Sequence, residues 1–227
     1  MKNKLNQAGL FLIELLIATL IGAFLLGGVL QVFISSKQTY RMQENLSRLQ
    51  ENGRFALQMI SRDARTAGYR ECYTAPVLAS SISGTNNLGL NSSDTLIMQW
   101  STGICSVTAL LSTITYSIQT GTSGQPSLFK TLVTNGTTTT TTTNEVVEGV
   151  ENIQILFGAD TDVTPDYTPN YYVPAGTTGL NLAQVVSLRI TIWVRTMDDN
   201  LATVTANGDR RIRHAFTSTI AVRNRLP

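Results

Sequence analysis

The distribution of apolar and polar residues sets the first part of the chain apart from the rest. Residues 10–34 include seventeen Leu, Ile, Phe or Val residues and one charged residue, Glu14. About 20 apolar residues are enough for a helix to cross a bilayer, and they outweigh the roughly 2.5–3.5 kcal/mol cost of one carboxylate. Because Lys2 and Lys4 precede this segment, the positive-inside rule predicts a cytoplasmic N-terminus with the remaining chain on the other side.

A helical period continues beyond the apolar segment. Pro76 is the first proline of the chain, and small or apolar residues recur in alternating steps of three and four, as on one face of a helix. We predict one helix from residue 10 to about residue 67, with Gly68 as its C-terminal stop. Its amphipathic half is expected to pack on a globular domain. The predicted stripe comprises Met42, Leu46, Leu49, Gly53, Ala56, Ile60, Ala64 and Ala67.

Two glycines interrupt the apolar half of this helix. Gly27 and Gly28 each cost roughly 1 kcal/mol relative to alanine in a helix interior. Either they loosen the helix locally, or their small size allows close packing between helices. The sequence does not choose between these two interpretations.

After residue 69 the period becomes that of strands. Segments rich in β-branched and aromatic residues alternate between apolar and polar positions, and Gly, Asn, Thr and Pro clusters separate them. We therefore predict an α+β fold in which the long N-terminal helix packs on an antiparallel β-sheet domain. The predicted strands are residues 95–100, 113–119, 127–133, 152–158, 185–196 and 214–224.

Polar, low-complexity stretches are expected to be loops. The threonine run 137–143 has no apolar surface to bury, so residues 134–144 are predicted to form a flexible hairpin loop, with O-glycosylation of the run left open. Residues 162–176, rich in Pro and Tyr, are predicted to form a second loop.

Three carboxylates near that second loop weakly resemble a calcium site. Asp160, Asp162 and Asp166 are spaced like oxygen ligands, but Pro165 and a missing glycine do not fit the EF-hand pattern. No metal site is assigned, and calcium binding stays open.

Composition argues against catalysis and against strong nucleic-acid binding. Charged residues make up 14% of the chain, and the formal net charge is only +2. The single histidine, His214, is expected to be exposed at the start of the last strand, and no nucleophile or nucleotide-binding motif is present. We predict a protein that is not an enzyme and needs no cofactor. The neighbouring arginines 210, 211 and 213 are expected at a solvated strand edge or a subunit interface, with DNA phosphates as a weaker alternative.

The chain contains two cysteines, Cys72 and Cys105. In an oxidising compartment they are expected to form a disulfide. The bridge would close a loop of about 34 residues, for which the chain-entropy model gives roughly 3.8 kcal/mol. Two separate thiols remain the alternative.

Three interpretations of the N-terminal segment compete. A secretory signal would end in a small-residue cleavage site, which is missing, and a plain membrane anchor leaves Glu14 unexplained. The third is that "AGLFLIE" resembles the type IV prepilin processing motif, in which a basic leader ends in glycine and glutamate is the fifth residue after it. The resemblance implies that prepilin peptidase cleaves between Gly9 and Leu10 and methylates the Leu10 amine. Leu10 departs from the usual phenylalanine.

The same resemblance suggests a role for Glu14. Cleavage creates a charged amine at Leu10 within the apolar layer, and Glu14 of a neighbouring subunit is expected to pair with it. Pairing offsets much of the cost of an isolated charge in a low dielectric. Glu14 would then set the register between subunits, whereas the alternative is that its carboxylate extends toward the lipid headgroups.

A narrower resemblance is carried by "LSRLQENGRFAL", "RDARTAGY", "VVEGVENIQILFGAD" and "RRIRHAFTSTIAVRNRLP". These segments are similar to PilW-type minor pilins, densely over residues 9–72 and in patches thereafter, whereas residues 75–144 show no resemblance. The predicted organisation is a leader at 1–9, a transmembrane and assembly helix at 10–35, an amphipathic helix at 36–68 and a β-rich domain at 69–227.

The resemblance implies a minor subunit of the type IV pilus at or near the tip, which helps initiate assembly and supports twitching, adhesion and DNA uptake. Its implied partners are other minor and major pilins, the inner-membrane assembly platform and prepilin peptidase. The implied location is the bacterial inner membrane, with a periplasmic globular domain, and then the extracellular pilus. The alternatives are a J-like minor pseudopilin of type II secretion and a membrane-anchored periplasmic binding or adhesion module.

Overall fold

The computed structural model describes residues 8–71, 80–102, 110–136, 138–201 and 208–225, with residues 8–11 and 225 described by their backbone alone. The chain forms two compact units, Met1–Glu44 and Asn45–Pro227. The described residues of the first unit, 8–44, are helical, and the second unit combines the end of that helix with two antiparallel sheets. The predicted α+β architecture, a long apolar N-terminal helix and antiparallel strands, is confirmed.

A single helix, α1, extends over Ala8–Thr66. It ends where Gly68 adopts a left-handed conformation with φ of +81°, which a glycine tolerates best. The Asn224 side chain donates hydrogen bonds to the carbonyl oxygens of Ala67 at 3.0 Å and Arg65 at 3.2 Å. These bonds satisfy acceptors that a helix end leaves without partners. The predicted helix and its glycine stop are therefore confirmed.

The strands form two sheets instead of the one that the sequence predicted. The first contains β1 (Ile82–Thr85), β2 (Thr95–Thr102), β3 (Leu110–Thr120), β4 (Pro126–Asn135) and β5 (Thr139–Glu148) in chain order. The second contains β6 (Val150–Ala159), β7 (Tyr171–Pro174), β8 (Val185–Arg195) and β9 (Arg213–Ala221) in the order β7-β6-β8-β9. Short 3-10 turns occur at Leu90–Ser92, Leu182–Gln184 and Arg223–Arg225. All six predicted strands are present.

Gly149 is the residue at which the chain leaves the first sheet and enters the second. Its φ is +77°, and a Cβ there would lie 2.8 Å from the carbonyl oxygen of Arg195. The Gly149 N–H donates to the carbonyl oxygen of Pro126 at 3.0 Å, and the Gly149 carbonyl accepts from the backbone N–H of Arg195 at 2.8 Å. One glycine thus bonds to both sheets, a change of direction that strand periodicity alone does not predict.

The predicted loop at residues 134–144 is wrong at both ends. Thr134 and Asn135 lie in β4, and Thr139 to Thr143, together with Asn144, lie in β5. The threonines of β5 are exposed, yet each pairs with a residue of β4, and the Thr131 and Thr143 hydroxyls are 3.0 Å apart. An edge strand needs backbone partners more than apolar surface, and the β-branched threonine suits an extended backbone. Likewise, part of the predicted loop at 162–176 is strand β7, which pairs with the end of β6.

The core of the second unit lies between the helix and both sheets. The predicted stripe is buried from Leu49 to Ala67, whereas Leu46 is half-buried and Met42 is exposed. Met42 lies in the first unit, before the part of the helix that contributes to the core. Gly53 is needed for packing, because a Cβ there would overlap the ring of Phe216 in β9. Core residues of the sheets include Leu96, Met98, Tyr116, Ile153, Ile155, Ile190 and Ile192.

Candidate functional site

The first unit presents an exposed apolar helix surface. Its large apolar side chains remain in solvent, as shown by Leu12 at 68% and Phe24 at 83% exposure. The helix is long and apolar enough to cross a membrane, and none of its most apolar stretch is buried within the chain. Such a surface is unfavourable in water, and it suggests membrane anchoring.

The predicted processing site lies at the beginning of this helix. The backbone of Gly9 and Leu10 belongs to the first turns of α1, and Glu14 follows Leu10 by one helical turn. Glu14 is exposed, and none of the described residues forms an ion pair or hydrogen bond with its carboxylate. By contrast, the Thr19 hydroxyl is satisfied within the helix by the carbonyl of Leu16 at 2.9 Å. The exposed Glu14 carboxylate is therefore free to bind a group from another molecule.

A shallow apolar groove follows one face of the same helix. The helix passes through Gly27 and Gly28 without interruption, and a Cβ at either residue would meet no other atom within 4 Å. Contacts within the described chain therefore do not require a glycine at these positions. The spacing of three and four residues places the groove on a single helix face. It is lined by Leu16, Thr19, Leu20, Ala23, Phe24, Gly27 and Gly28.

A buried polar contact fixes the second half of the helix to the first sheet. Asp63 accepts hydrogen bonds from the Tyr116 hydroxyl at 2.6 Å and the Lys130 amine at 2.5 Å. Burial, and then the hydrogen bond to Asp63, raise the pKa of the Tyr116 hydroxyl above its usual range. Sequence reasoning missed this contact. Its signal was a carboxylate on the buried stripe, three residues after Ile60 and beside Ala64, but the partners on β3 and β4 are far away in sequence.

The arginines near the C-terminus bind acidic partners of the same chain. Arg213 forms ion pairs with Glu151, at 2.6 Å from Nε to Oε2, and with Asp209, at 2.7 Å from Nη2 to Oδ2. The hydrogen bonds within these ion pairs raise the pKa of Arg213, and the bond to Asp209 has the larger effect. Arg211 donates to the carbonyl oxygens of Thr196 and Met197. The acidic partners of Arg213 therefore lie within the chain itself, at the edge strand β9.

His214 occupies the position that the sequence predicted, exposed and second in β9. Its ring packs edge-on against Phe216, with 4.7 Å between the ring centroids. This is a packing contact at the sheet surface.

The three aspartates of the predicted weak calcium pattern lie together. Their carboxylate oxygens are within 4.8 Å of one another, with Asp160 buried and Asp162 and Asp166 exposed. Asp160 already accepts hydrogen bonds from the backbone N–H groups of Asp162 at 3.0 Å and Tyr167 at 2.7 Å. Hydrogen bonds from Thr168 lower the pKa of Asp166. The carboxylates therefore organise the turn between β6 and β7.

The two cysteines lie outside the described residues. The Cys72–Cys105 disulfide consequently stays a prediction.

Comparison with known families gives one match. Residues 115–224, just under half of the chain, match the family described as PilW, Type IV Pilus-assembly protein W. The match begins within β3 and ends just after β9, so it falls on the sheets, whereas the sequence resemblance is densest in the helix. It includes residues 115–144, so the expectation that residues 75–144 carry no resemblance is wrong for that part. It supports a PilW-like type IV pilus protein that takes part in pilus assembly. Comparison with the curated proteins finds no match.

Proposed function

We propose that this PilW-like type IV pilus protein is a minor structural subunit whose N-terminal helix is both its membrane anchor and its assembly element. The observation that carries the proposal is the contrast between the two parts of α1. Residues 12–44 have exposed side chains almost throughout, whereas the stripe from Leu49 to Ala67 is buried in the domain that matches the family. A helix of this kind needs a second apolar environment, which lipid supplies before assembly and like helices supply afterwards.

Processing begins at the start of α1. Prepilin peptidase cuts between Gly9 and Leu10 and methylates the new Leu10 amine. The Glu14 carboxylate of the adjoining subunit then pairs with that amine. Two opposite charges in an apolar layer are each costly alone and largely compensate one another when paired. The absence of a Glu14 partner within the described residues supports this role.

The groove at Gly27 and Gly28 is the packing face for another pilin helix. Small residues let two helix backbones approach closely, so that van der Waals contacts replace contacts with lipid. Because the chain itself leaves the groove empty around both glycines, an adjacent subunit accounts for their presence better than internal packing does.

The second unit is the domain that the subunit carries on the periplasmic side and then outside the cell. Arg195 and Arg213 are paired with acids of the same chain, which supports a structural role over one in binding DNA. We assign it no catalysis. A location at or near the pilus tip, and support of twitching, adhesion and DNA uptake, complete the proposal. The other minor and major pilins, the assembly platform and the peptidase are its proposed partners.

Mass spectrometry of sheared pili tests the proposal. The expected result is a chain in the pilus fraction that begins with N-methylated Leu10. A chain that retains Met1 or Lys2 and stays in the membrane contradicts processing and assembly together. Recovery of the processed chain only with a secretion apparatus contradicts the pilus assignment while leaving processing intact.

A further inference from the structure

The outer face of the second sheet bears a polar cleft. In β8, Ile190, Ile192 and Val194 are buried toward the core, so the alternate residues Trp193 and Arg195 lie on the opposite face. There they line an open cleft of about 770 Å³ together with amide side chains. An aromatic ring combined with several convergent polar groups is typical of a small-molecule site.

The wall of the cleft is the segment between β1 and β2, held in place by the sheet. Gln154 on β6 donates to the carbonyl of Ser92 at 2.9 Å and to Oδ1 of Asn87 at 3.2 Å. Asn152 donates to the carbonyl of Asn91 at 2.7 Å. The same segment adopts positive φ angles of 55° at Asn87, 56° at Asn91 and 55° at Ser92. Such angles are uncommon outside glycine and indicate a shape that the surroundings impose.

The charges of the cleft cancel. Its lining contains two acids and two arginines, and Glu151 pairs with both Arg195 at 3.3 Å and Arg213 at 2.6 Å. Arg195 also donates to the side chain of Gln125 at 2.6 Å. A site for nucleic acid or another polyanion keeps its cations available to phosphates, whereas here they are engaged by the chain's own groups.

Uncharged hydrogen-bonding groups remain. Among bonds between described residues, Nδ2 of Asn87 donates none, and neither Oδ1 of Asn91 nor Oε1 of Gln154 accepts one. Amides supply both donors and acceptors, as a hydroxyl group requires. The cleft also lies on a sheet face, where the backbone groups are paired within the sheet, so it does not suit an extended peptide that adds as a strand.

We propose that this cleft binds a neutral saccharide, with the sugar ring against the indole of Trp193 and its hydroxyl groups on the amides of Asn87, Asn91 and Gln154. A sugar ring combines an apolar C–H face with peripheral hydroxyl groups, which matches an aromatic surface beside uncharged donors and acceptors. The proposal goes beyond pilus assembly, since the site is formed entirely by the second unit and involves no residue of the N-terminal helix. Loss of sugar binding would leave the assembly proposal unaffected.

Titration calorimetry on the full chain tests the proposal, in a zwitterionic detergent that has no sugar headgroup. The probes are neutral oligosaccharides (maltotriose, cellotriose and chitotriose), with a heparin oligosaccharide as the polyanion. At least one neutral probe is expected to bind at concentrations up to about 10 mM, weak by the standard of protein ligands. Its affinity is expected to stay constant between about 50 and 200 mM salt. The affinity of a site that binds phosphate groups falls over this range.

Variants locate the binding. Trp193→Ala is expected to lower the affinity about tenfold or more, as truncation of a central aromatic residue does, and Trp193→Phe less. Thr217→Ala is the matched control, since Thr217 is an exposed residue of β9 that does not line the cleft. If Trp193→Ala unfolds, Trp193 fluorescence in a Trp100→Phe chain, where it is the only indole, reports contact instead. Binding of the heparin probe alone, no binding of any neutral probe, or unchanged affinity and fluorescence at Trp193 would overturn the proposal.

Discussion

At the scale of single residues, Glu14 and Asp63 are two carboxylates of one helix in opposite situations. Asp63 is buried and meets Tyr116 and Lys130 within the chain. Glu14 is exposed without a partner among the described residues. A carboxylate that the fold satisfies contributes to stability, and one that the fold leaves open is available to another subunit.

Glu14→Ala is expected to leave membrane insertion and cleavage intact and to lower the amount of protein in pili at least about tenfold, equivalent to ~1.4 kcal/mol of lost pairing. The reason is that the Leu10 amine of the neighbouring subunit then stays without its partner. Immunoblots of membrane and sheared-pilus fractions measure the effect. Glu51→Ala, an exposed acid later in the helix, is the control. Normal piliation with Glu14→Ala contradicts the pairing.

Tyr116→Phe is expected to lower the free energy of unfolding by about 1–3 kcal/mol near neutral pH, because the buried Asp63 loses a donor. Folding raises the pKa of the Tyr116 hydroxyl, so its contribution is complete below the unfolded pKa of about 10 and declines as the pH rises above it. The difference between wild type and variant should therefore narrow in alkali. Denaturant titrations at several pH values measure it.

Tyr172→Phe is the control for that experiment. Tyr172 bonds to Ser187 at 2.9 Å and not to Asp63. A difference that grows above pH 10, or one that is equal for both variants, contradicts the assignment to Asp63.

At the scale of elements, contact between α1 and β9 depends on one missing side chain. Gly53 lies on the buried stripe, and the Phe216 ring occupies the space that a Cβ at residue 53 would need. Gly53→Ala gains about 1 kcal/mol of helix propensity but overfills this contact, which typically costs 1–3 kcal/mol. We expect a net loss of stability in thermal unfolding.

A double-mutant cycle separates the clash from other effects. Combining Gly53→Ala with Phe216→Leu is expected to destabilise less than the sum of the single changes, because the smaller side chain removes the overlap. Gly27→Ala is the control in the same helix. A Cβ at Gly27 would meet no other atom within 4 Å, so this substitution should not destabilise the domain. Additive losses in the cycle would contradict a direct contact.

Among the strands, β5 illustrates how an element forms without an apolar pattern. Its threonines bury no apolar surface, and their partners are backbone groups of β4. Six strands were predictable from alternating residues. The strands β1, β5 and β7 were not, because β1 and β7 have only four residues each and β5 begins with a run of exposed threonines.

For the molecule as a whole, the boundary between the two units lies close to the point where the helix begins to contribute side chains to the core. The core begins at Leu49, and residues 12–44 contribute no buried side chain to it. A chain that begins at residue 40 is therefore expected to fold without detergent, with circular dichroism and a melting temperature close to those of the full chain.

A chain that begins at residue 57 is the control for that truncation. It lacks Leu49, Gly53 and Ala56, so the sheets lose part of the surface that covers their core, and we expect it to unfold or aggregate. Equal stability of the two truncated chains would contradict the role of the stripe before residue 57.

Local sequence patterns were enough to predict the long helix, its apolar and amphipathic halves, its glycine stop and six strands. These features follow from periods of 3.6 and 2 residues and from local backbone preferences. Several segments of the sequence also resemble PilW-type minor pilins, in line with the family match over residues 115–224.

The remaining features became visible only in the folded chain. The tertiary structure assigned partners to Asp63, neutralised Arg213 with Glu151 and Asp209, and directed the chain from one sheet to the other at Gly149. It also brought Trp193 and the amides of distant segments into one cleft. The physical reason is that each of these features depends on contacts between residues far apart in the chain. A local pattern of apolar and polar positions does not specify such contacts.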